Sequence, residues 1–405
     1  MTATRSVIVA GAGIGGLTAA LALARNGFRV AVLEQAERLS ETGAGIQLSP
    51  NATRCLIELG LGERLQPHVT EPSALRVLVG HSGREIVRMP LGGARERHGA
   101  PYWIIHRGDL QAALVAAAAE ERDISLKLGM RVEDFATHSN GVTVSANSAA
   151  GVWHERGHAL IAADGLWSES RARLGFKERP RFAGRTAWRA LIPASEVPPE
   201  WREPSVHLWL GRDAHLVHYP VKAGAVINIV AITTDAWNAP GWSAPASRVD
   251  LLPRFPAERW AAGVRALIRE PETWLKWALY DCPPLPGFSY GAAALIGDAA
   301  HPMLPFVAQG AAMAIEDAMV AAHSLARMPD DAAGALKFYC ALRRRRTRKV
   351  QRVAAKNGAR YHLRALPAII RNAAMRALGG ARLLRHYDWL YDWRPPAAPS
   401  SNAVE

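Results

Sequence analysis

Cysteine is scarce: Cys55, Cys282 and Cys340 are the only three, far apart and without a C-x-x-C pair. That excludes a disulfide framework and a zinc-type ligand set, so no metal is expected, and it favours a reducing, cytoplasmic setting. No apolar run approaches the ~20 residues that a membrane helix needs. The start, TRSVIVAGAGIGG, superficially resembles a signal peptide, but its glycine spacing reads as a strand and turn. Internal repeats are absent, which excludes a solenoid. What remains is a globular chain of 405 residues, 49% hydrophobic, with 34 Gly and 26 Pro, long enough for two domains.

Positive charge is in excess. The net charge is +13 and the sequence pI about 10.1, with a dense run at 343–352, RRRRTRKVQR. Such a run can bind nucleic acid or a membrane surface. It can equally be the solvated face of a helix whose Leu336, Phe338, Tyr339 and Val350 pack elsewhere. No aromatic-interleaved basic motif or nucleic-acid module accompanies it, so the solvated face is expected, steering small organic anions at most.

The N-terminus carries the first chemical signal. Residues 7–10 form an apolar strand, followed by Gly11, Gly13 and Gly16 as G-x-G-x-x-G. Ile14, Leu17, Leu21 and Ala24 recur at helical spacing until Asn26-Gly27, and RVAVLE is a second strand ending in Glu34. A strand, glycine turn, helix and strand-terminal acid in this order form a dinucleotide-binding βαβ unit. The glycines let a pyrophosphate approach, and the acid accepts hydrogen bonds from ribose hydroxyls. No second G-x-G-x-x-G exists, so one tightly held dinucleotide and a transient partner are expected.

Further along, 109–122 reads as an Ala-rich helix after HRGD. Residues 126–128, 132–135, 142–146 and 160–163 read as strands, the last leading into ADGLWSESR. From 183 to 234 the texture is β-type, with runs such as TAWRALI, SVHLWL and HLVHYPV. Helical texture returns at 261, prolines crowd 281–287, and the chain is mainly helical after Gly310. The tail RPPAAPSSNAVE is expected to be disordered. In LIGDAAHPMLPFVAQGAAMAIEDA, residues 295–318, a short strand leads through a Gly-Asp pair and two prolines to a helix beginning near Gly310. Such a terminus offers unpaired N–H groups and partial positive charge to an anion.

Three nucleotide-type segments thus stand in order: GAGIGG with Glu34, then Ala163-Asp164-Gly165 with Arg171, then Gly297-Asp298, with a β-rich insertion between the last two. This arrangement resembles the class A, single-component FAD-dependent aromatic hydroxylases, such as salicylate hydroxylase, 3-hydroxybenzoate 6-hydroxylase and 6-hydroxynicotinate 3-monooxygenase. The resemblance spans residues 6–389. It implies an α/β (α+β) fold: a Rossmann-like FAD-binding domain (1–176 and 286–330), an inserted β-sheet substrate domain (177–285), a C-terminal helical region (331–395) and a disordered tail (396–405).

The resemblance also assigns residues. Gly11, Gly13, Gly15 and Gly16 are implied at the FAD pyrophosphate and Glu34 at the adenosine ribose, with Gln35 and Val132 in the same cofactor set. Ala44 and Gly45 of GAGIQLSPNA run along the flavin. Arg107 contacts the FAD, Asp164 serves FAD and NAD(P)H, Asp298 holds the ribityl chain, and the helix start at Gly310 faces the flavin N1–C2=O edge. His301 and Pro305 border the substrate space, with Tyr102, Trp188 and Arg189 as weaker pocket candidates. On HLVHYPV, His215, Val217 and Tyr219 share one strand face. His215 is implied as base or proton relay and Tyr219 as a substrate hydrogen-bond partner, their Cα atoms ~13 Å apart on an ideal strand.

The implied activity consumes NADH or NADPH and O2 and hydroxylates a small aromatic or heteroaromatic acid through a flavin C4a-hydroperoxide, as a monomer or homodimer without nucleic-acid or membrane partners. Pro305 stands where 3-hydroxybenzoate 6-hydroxylase carries Gln. Two other readings remain. A flavin-dependent halogenase, or another FAD oxidoreductase, shares the fold; a halogenase needs a lysine from the first third and a WxWxIP segment, whereas the first lysine, Lys127, stands only at the end of that third and WRALIP lacks the second tryptophan. A basic nucleic-acid-binding protein on a relict nucleotide fold is the remote one.

Overall fold

A computed structural model describes residues 5–39, 44–239 and 243–396; the expected disordered tail lies almost wholly outside them. The strand Ser6–Ala10 is the centre of a six-stranded sheet. Its order is Ser289–Tyr290, Ala293–Leu295, Ala159–Ala162, Ser6–Ala10, Arg29–Leu33 and Ile124–Lys127. All neighbours are parallel except the outer Ser289–Tyr290. Val7, Ile8, Leu160 and Ile161 are fully buried, which is why these strands read as unbroken apolar runs rather than alternations. Helix Ile14–Arg25 packs against helix Gly310–Arg327, and small residues allow the close approach: a Cβ on Gly15 would stand 3.1 Å from that of Ala314.

The second body is an eight-stranded sheet ordered Ala244–Ser247, Thr273–Asp281, Arg181–Pro193, Val226–Thr234, Ala214–Val221, Ser205–Leu210, Ala74–Val79 and Glu85–Pro90. Its outer face buries Trp188, Ile192, Leu216 and Ile229 under Leu251, Phe255, Trp260 and Leu267. Its inner face turns Ala187 and Ile232 toward Leu304 and Phe306.

This sheet corrects two sequence expectations. Strands Ala74–Val79 and Glu85–Pro90 lie inside the segment assigned to the nucleotide domain, yet the former pairs in parallel with Ser205–Leu210. A pairing across some 130 residues leaves no local signal. Strand Thr273–Asp281, in a stretch given to helix and proline-rich loop, is held antiparallel to Arg181–Pro193; tertiary pairing overrode weak local propensity.

The basic run is a third correction. It lies on helix Ala332–Tyr361, but it is only in part a solvated face: Arg344, Arg345, Lys349 and Arg352 are exposed, while the rest turn inward. Arg343 is buried and binds Glu316 at 2.5 Å and Asp317 at 2.6 Å. Arg346 grips both Glu316 oxygens at 2.7 Å. Arg344 and Arg348 donate to the carbonyls of Pro286 and Leu285. Most of the run's named contacts anchor this helix to the nucleotide domain. No helix among the described residues is long and apolar enough to cross a membrane, and among them no group of three or more potential ligands gathers for a metal.

Candidate active site

Four parallel strands end side by side. Ala10 pairs with Ala162 and Leu33, and Ala162 with Leu295, so residues 11–13, Glu34, Asp164 and 297–298 emerge along one edge. That carboxyl edge is where open α/β sheets bind ligands. The glycines divide the work. Gly11 has φ +103°, and a Cβ there would meet the Ala163 carbonyl at 2.6 Å; one on Gly16 would meet the Gly11 carbonyl at 1.9 Å. Both are demanded by the fold. Gly13 has no atom within 4 Å of its Cβ position, nor does Gly310; these two face open space.

Glu34 accepts from the Ala12 and Ala36 amides at 2.7 and 2.8 Å, which leaves further lone pairs on both oxygens for hydroxyl donors. The Glu34 carbonyl accepts from Met130 N–H at 2.7 Å, bringing the exposed Gln35 near the strand that carries Val132. Asp164 Oδ2 accepts from Ser170 N–H at 3.0 Å, while its Oδ1 is buried without a partner. Arg171 joins the second and third motifs, donating to the Asp298 and Ala299 carbonyls at 2.8 and 2.7 Å. Asp298 is solvent-accessible, yet crowded enough that desolvation raises its pKa against the pull of His301, Arg107 and Arg171. Arg107 starts helix Arg107–Glu120, and its amide donates to the Ala44 carbonyl at 2.8 Å. An orphaned carboxylate oxygen, an acid open to ribose and two glycines facing open space fit a dinucleotide with a sugar-like chain, so the residues present suit FAD.

The loop before helix Gly310–Arg327 is held from behind. His301 Nε2 lies 2.5 Å from Asp317 Oδ2, and Asp317 also accepts from Gly297 N–H at 2.9 Å. Burial alone would raise the Asp317 pKa, but the charges of His301 and Arg343 and their hydrogen bonds bring it below the usual carboxylate value. Gln309, the N-cap position, donates to Ser49 Oγ at 2.7 Å and sits 3.1 Å from Asn51. The sequence reading missed Gln309, Asn51 and Ser49, since hydrogen bonds between residues some 260 apart leave no mark on either segment.

The inner face of the large sheet meets both flavin-type loops. Tyr219 Oη donates to the Gly45 carbonyl at 2.8 Å, and Gly45 N–H donates to Asn228 Oδ1 at 2.8 Å. A Cβ on Gly45 would stand 2.5 Å from the Tyr219 ring, so only glycine fits. Burial pushes the Tyr219 hydroxyl up to about 12, although Arg189 and Gln47 pull the other way, and it stays a neutral donor. Tyr102 donates to Gln47 Oε1 at 2.9 Å. His215 packs on Phe306 of the proline loop, ring centroids 5.5 Å apart, and its Nδ1 lies 2.7 Å from Nε2 of His362. Burial, then His362 and Arg185, hold the His215 pKa well below the ordinary histidine value. His362 follows the long helix at its C-cap and was not singled out from sequence, because nothing local marks it.

Trp188 is a correction. It lies on the outer face, where its Nε1 donates to Thr233 Oγ1 at 3.0 Å within the Trp260 cluster. Strand alternation separates it from Arg189, whose guanidinium stacks on Trp277 at 4.9 Å and acts electrostatically on Tyr219. Pro305 is exposed on the loop, whereas the His301 ring is turned toward Asp317.

The chain matches the family described as FAD binding domain over residues 4–354. It is 37% identical over 388 residues to 3-hydroxybenzoate 6-hydroxylase 1 of Aquipseudomonas alcaligenes, covering 95% of this chain and 97% of that protein. Among solved structures it is similar to a salicylate hydroxylase substrate complex, with TM-score 0.81, 27% identity and 97% of each chain covered. It is also similar to Klebsiella pneumoniae HpxO complexed with FAD and uric acid, with TM-score 0.84, 27% identity and 95% and 96% of the two chains covered. The glycine edge, the acid that follows it and these likenesses agree, and the chain belongs to the FAD-binding family of class A aromatic hydroxylases.

Proposed function

We propose that this protein hydroxylates a small hydroxylated aromatic or heteroaromatic acid, consuming NADH or NADPH and O2. The observation that carries this reading is the convergence of two cofactor-lining segments on one face of the substrate sheet: Gly45 on Tyr219, and Phe306 on His215. FAD, when bound, supplies the reductive activation of oxygen. The residues around it do the rest. Gly13, Glu34 and Asp164 hold the nucleotide, Asp298 the ribityl chain. The N-terminus of helix Gly310–Arg327 favours negative charge near the flavin ring.

His215 Nε2 accepts the phenolic proton, which makes the ring electron-rich enough to take an electrophilic oxygen. Tyr219, kept neutral, orients the ligand as a hydrogen-bonding partner. Arg189, close enough to influence Tyr219, pairs with the carboxylate. Leu304, Phe306 and Ile104 are buried around this face and keep water away. Three free, buried cysteines suit the cytoplasm, with the protein acting as a monomer or homodimer. The test is a panel of hydroxylated benzoates and pyridines, scored for stimulated NAD(P)H oxidation coupled to hydroxylated product. A yellow, FAD-loaded protein that converts none of them would refute the reading.

A further inference from the structure

The His215–His362 contact joins the sheet face to the C-terminal helices. The two rings are 5.0 Å apart between centroids, and Nδ1 of one lies 2.7 Å from Nε2 of the other. Both rings are buried, His215 at 2% exposure and His362 at 9%, and the chain reaches the surface two residues beyond His362, at the exposed Arg364. His362 Nδ1 is buried without a partner, a position that calls for a water.

The surroundings explain why one histidine is not enough. Around His215 stand His362, Arg185, Phe306 and Tyr361. Around His362 stand Arg185, Asp213 and Arg371, and Arg364 pairs with Asp213. Burial, Arg185 and Arg371 outweigh Asp213 and push His362 down to about 4. An imidazolium formed here is poorly solvated and stands beside arginines. A proton taken up at His215 must therefore move on.

We propose that His362 is the second member of a two-histidine relay that carries the substrate's phenolic proton from His215 to solvent. It acts through His215 and is a positioning and relay residue, and the inference rests on the aromatic-hydroxylase reading above. The substrate O–H bond breaks as His215 Nε2 gains the proton. The His215 Nδ1–H bond breaks as His362 Nε2 gains that proton, and His362 Nδ1–H releases its own to water. The products are a phenolate, two neutral imidazoles in their other tautomers and a hydronium ion. When the product's ring rearomatises, the C–H bond at the hydroxylated carbon breaks and its proton leaves to water, while the same path in reverse returns a proton from water to the carbonyl oxygen and resets both tautomers.

The test uses FAD-loaded enzyme rapidly mixed with 2-hydroxy-5-nitrobenzoate in weak buffer containing a pH-indicator dye. Phenolate absorbance and proton release are followed together. His362→Gln keeps an acceptor for His215 Nδ1–H but cannot pass a proton on; His362→Ala opens a space that added imidazole can fill. Both variants should retain FAD and slow proton release about 10-fold or more, on the lower side of a general-base effect because water substitutes in part. Imidazole should restore His362→Ala, and rising pH should erase the difference. Release at the wild-type rate in both variants, with His215→Asn slow, would overturn the relay while leaving His215 as base. Release unaffected by His215→Asn as well would overturn the base assignment and the relay with it.

Discussion

Replacing Arg343 with Met tests the charge network behind the cofactor loop. The guanidinium is buried and bonds Glu316 and Asp317, both with fully buried side chains. Removing one partner of a buried pair costs about 3–5 kcal/mol, because the other charge stays desolvated. Here the orphaned acids keep other partners. Glu316 retains Arg346 and the Asn51 amide at 2.6 Å; Asp317 retains His301 and the Gly297 amide. The loss should therefore lie near the lower end, ~3 kcal/mol at pH 7.5.

The pH dependence has a definite sign. In the wild type the native pKa of Asp317 lies below its ordinary 3.8, so the stability it contributes is present above that value and is lost as pH falls through the native pKa. Without Arg343, burial is less opposed and lifts the native pKa. Once it exceeds 3.8, the native variant binds more protons than its unfolded chain, and the deficit shrinks as pH falls from neutrality toward 4. Urea unfolding followed by tryptophan fluorescence at pH 7.5 and 5 measures both quantities. A loss below ~1 kcal/mol, the scale of an exposed pair, or one that does not shrink in acid, would refute the reasoning.

Three further outcomes follow from the site. Glu34→Ala should lower flavin content after gel filtration, since it removes the implied ribose acceptor and two turn hydrogen bonds; wild-type occupancy would remove Glu34 from the site. Gly45→Ala should destabilise by about 1–3 kcal/mol through overpacking against Tyr219, read as a lower urea midpoint, and an unchanged midpoint would show that the ring yields freely. His215→Asn should keep FAD but lose ~10²-fold in hydroxylation, with more hydrogen peroxide per NAD(P)H and partial recovery at high pH; wild-type coupling would end its role as base.

The sequence alone determined the nucleotide half. A parallel βαβ unit is local: strand, glycine turn, helix and acid lie within 34 residues, and Gly11 and Gly16 there answer steric demands of the turn itself, while Gly13 leaves room for a ligand. The Gly-Asp segment and the helix start at Gly310 were legible for the same reason, as was the strand face shared by His215 and Tyr219. Only the tertiary structure decided the rest. Which face of the sheet meets the cofactor loops depends on packing between segments far apart in the chain, and this sent Trp188 outward while Tyr219 reached Gly45, 174 residues away. Whether arginines are solvated depends on what lies opposite them; the run at 343–352 met Glu316 and Asp317 and became an anchor. His362 became His215's neighbour because a 30-residue helix ends there. Local pattern encodes the chain's own hydrogen bonding and periodicity; the partner across a packed interface is set by the fold.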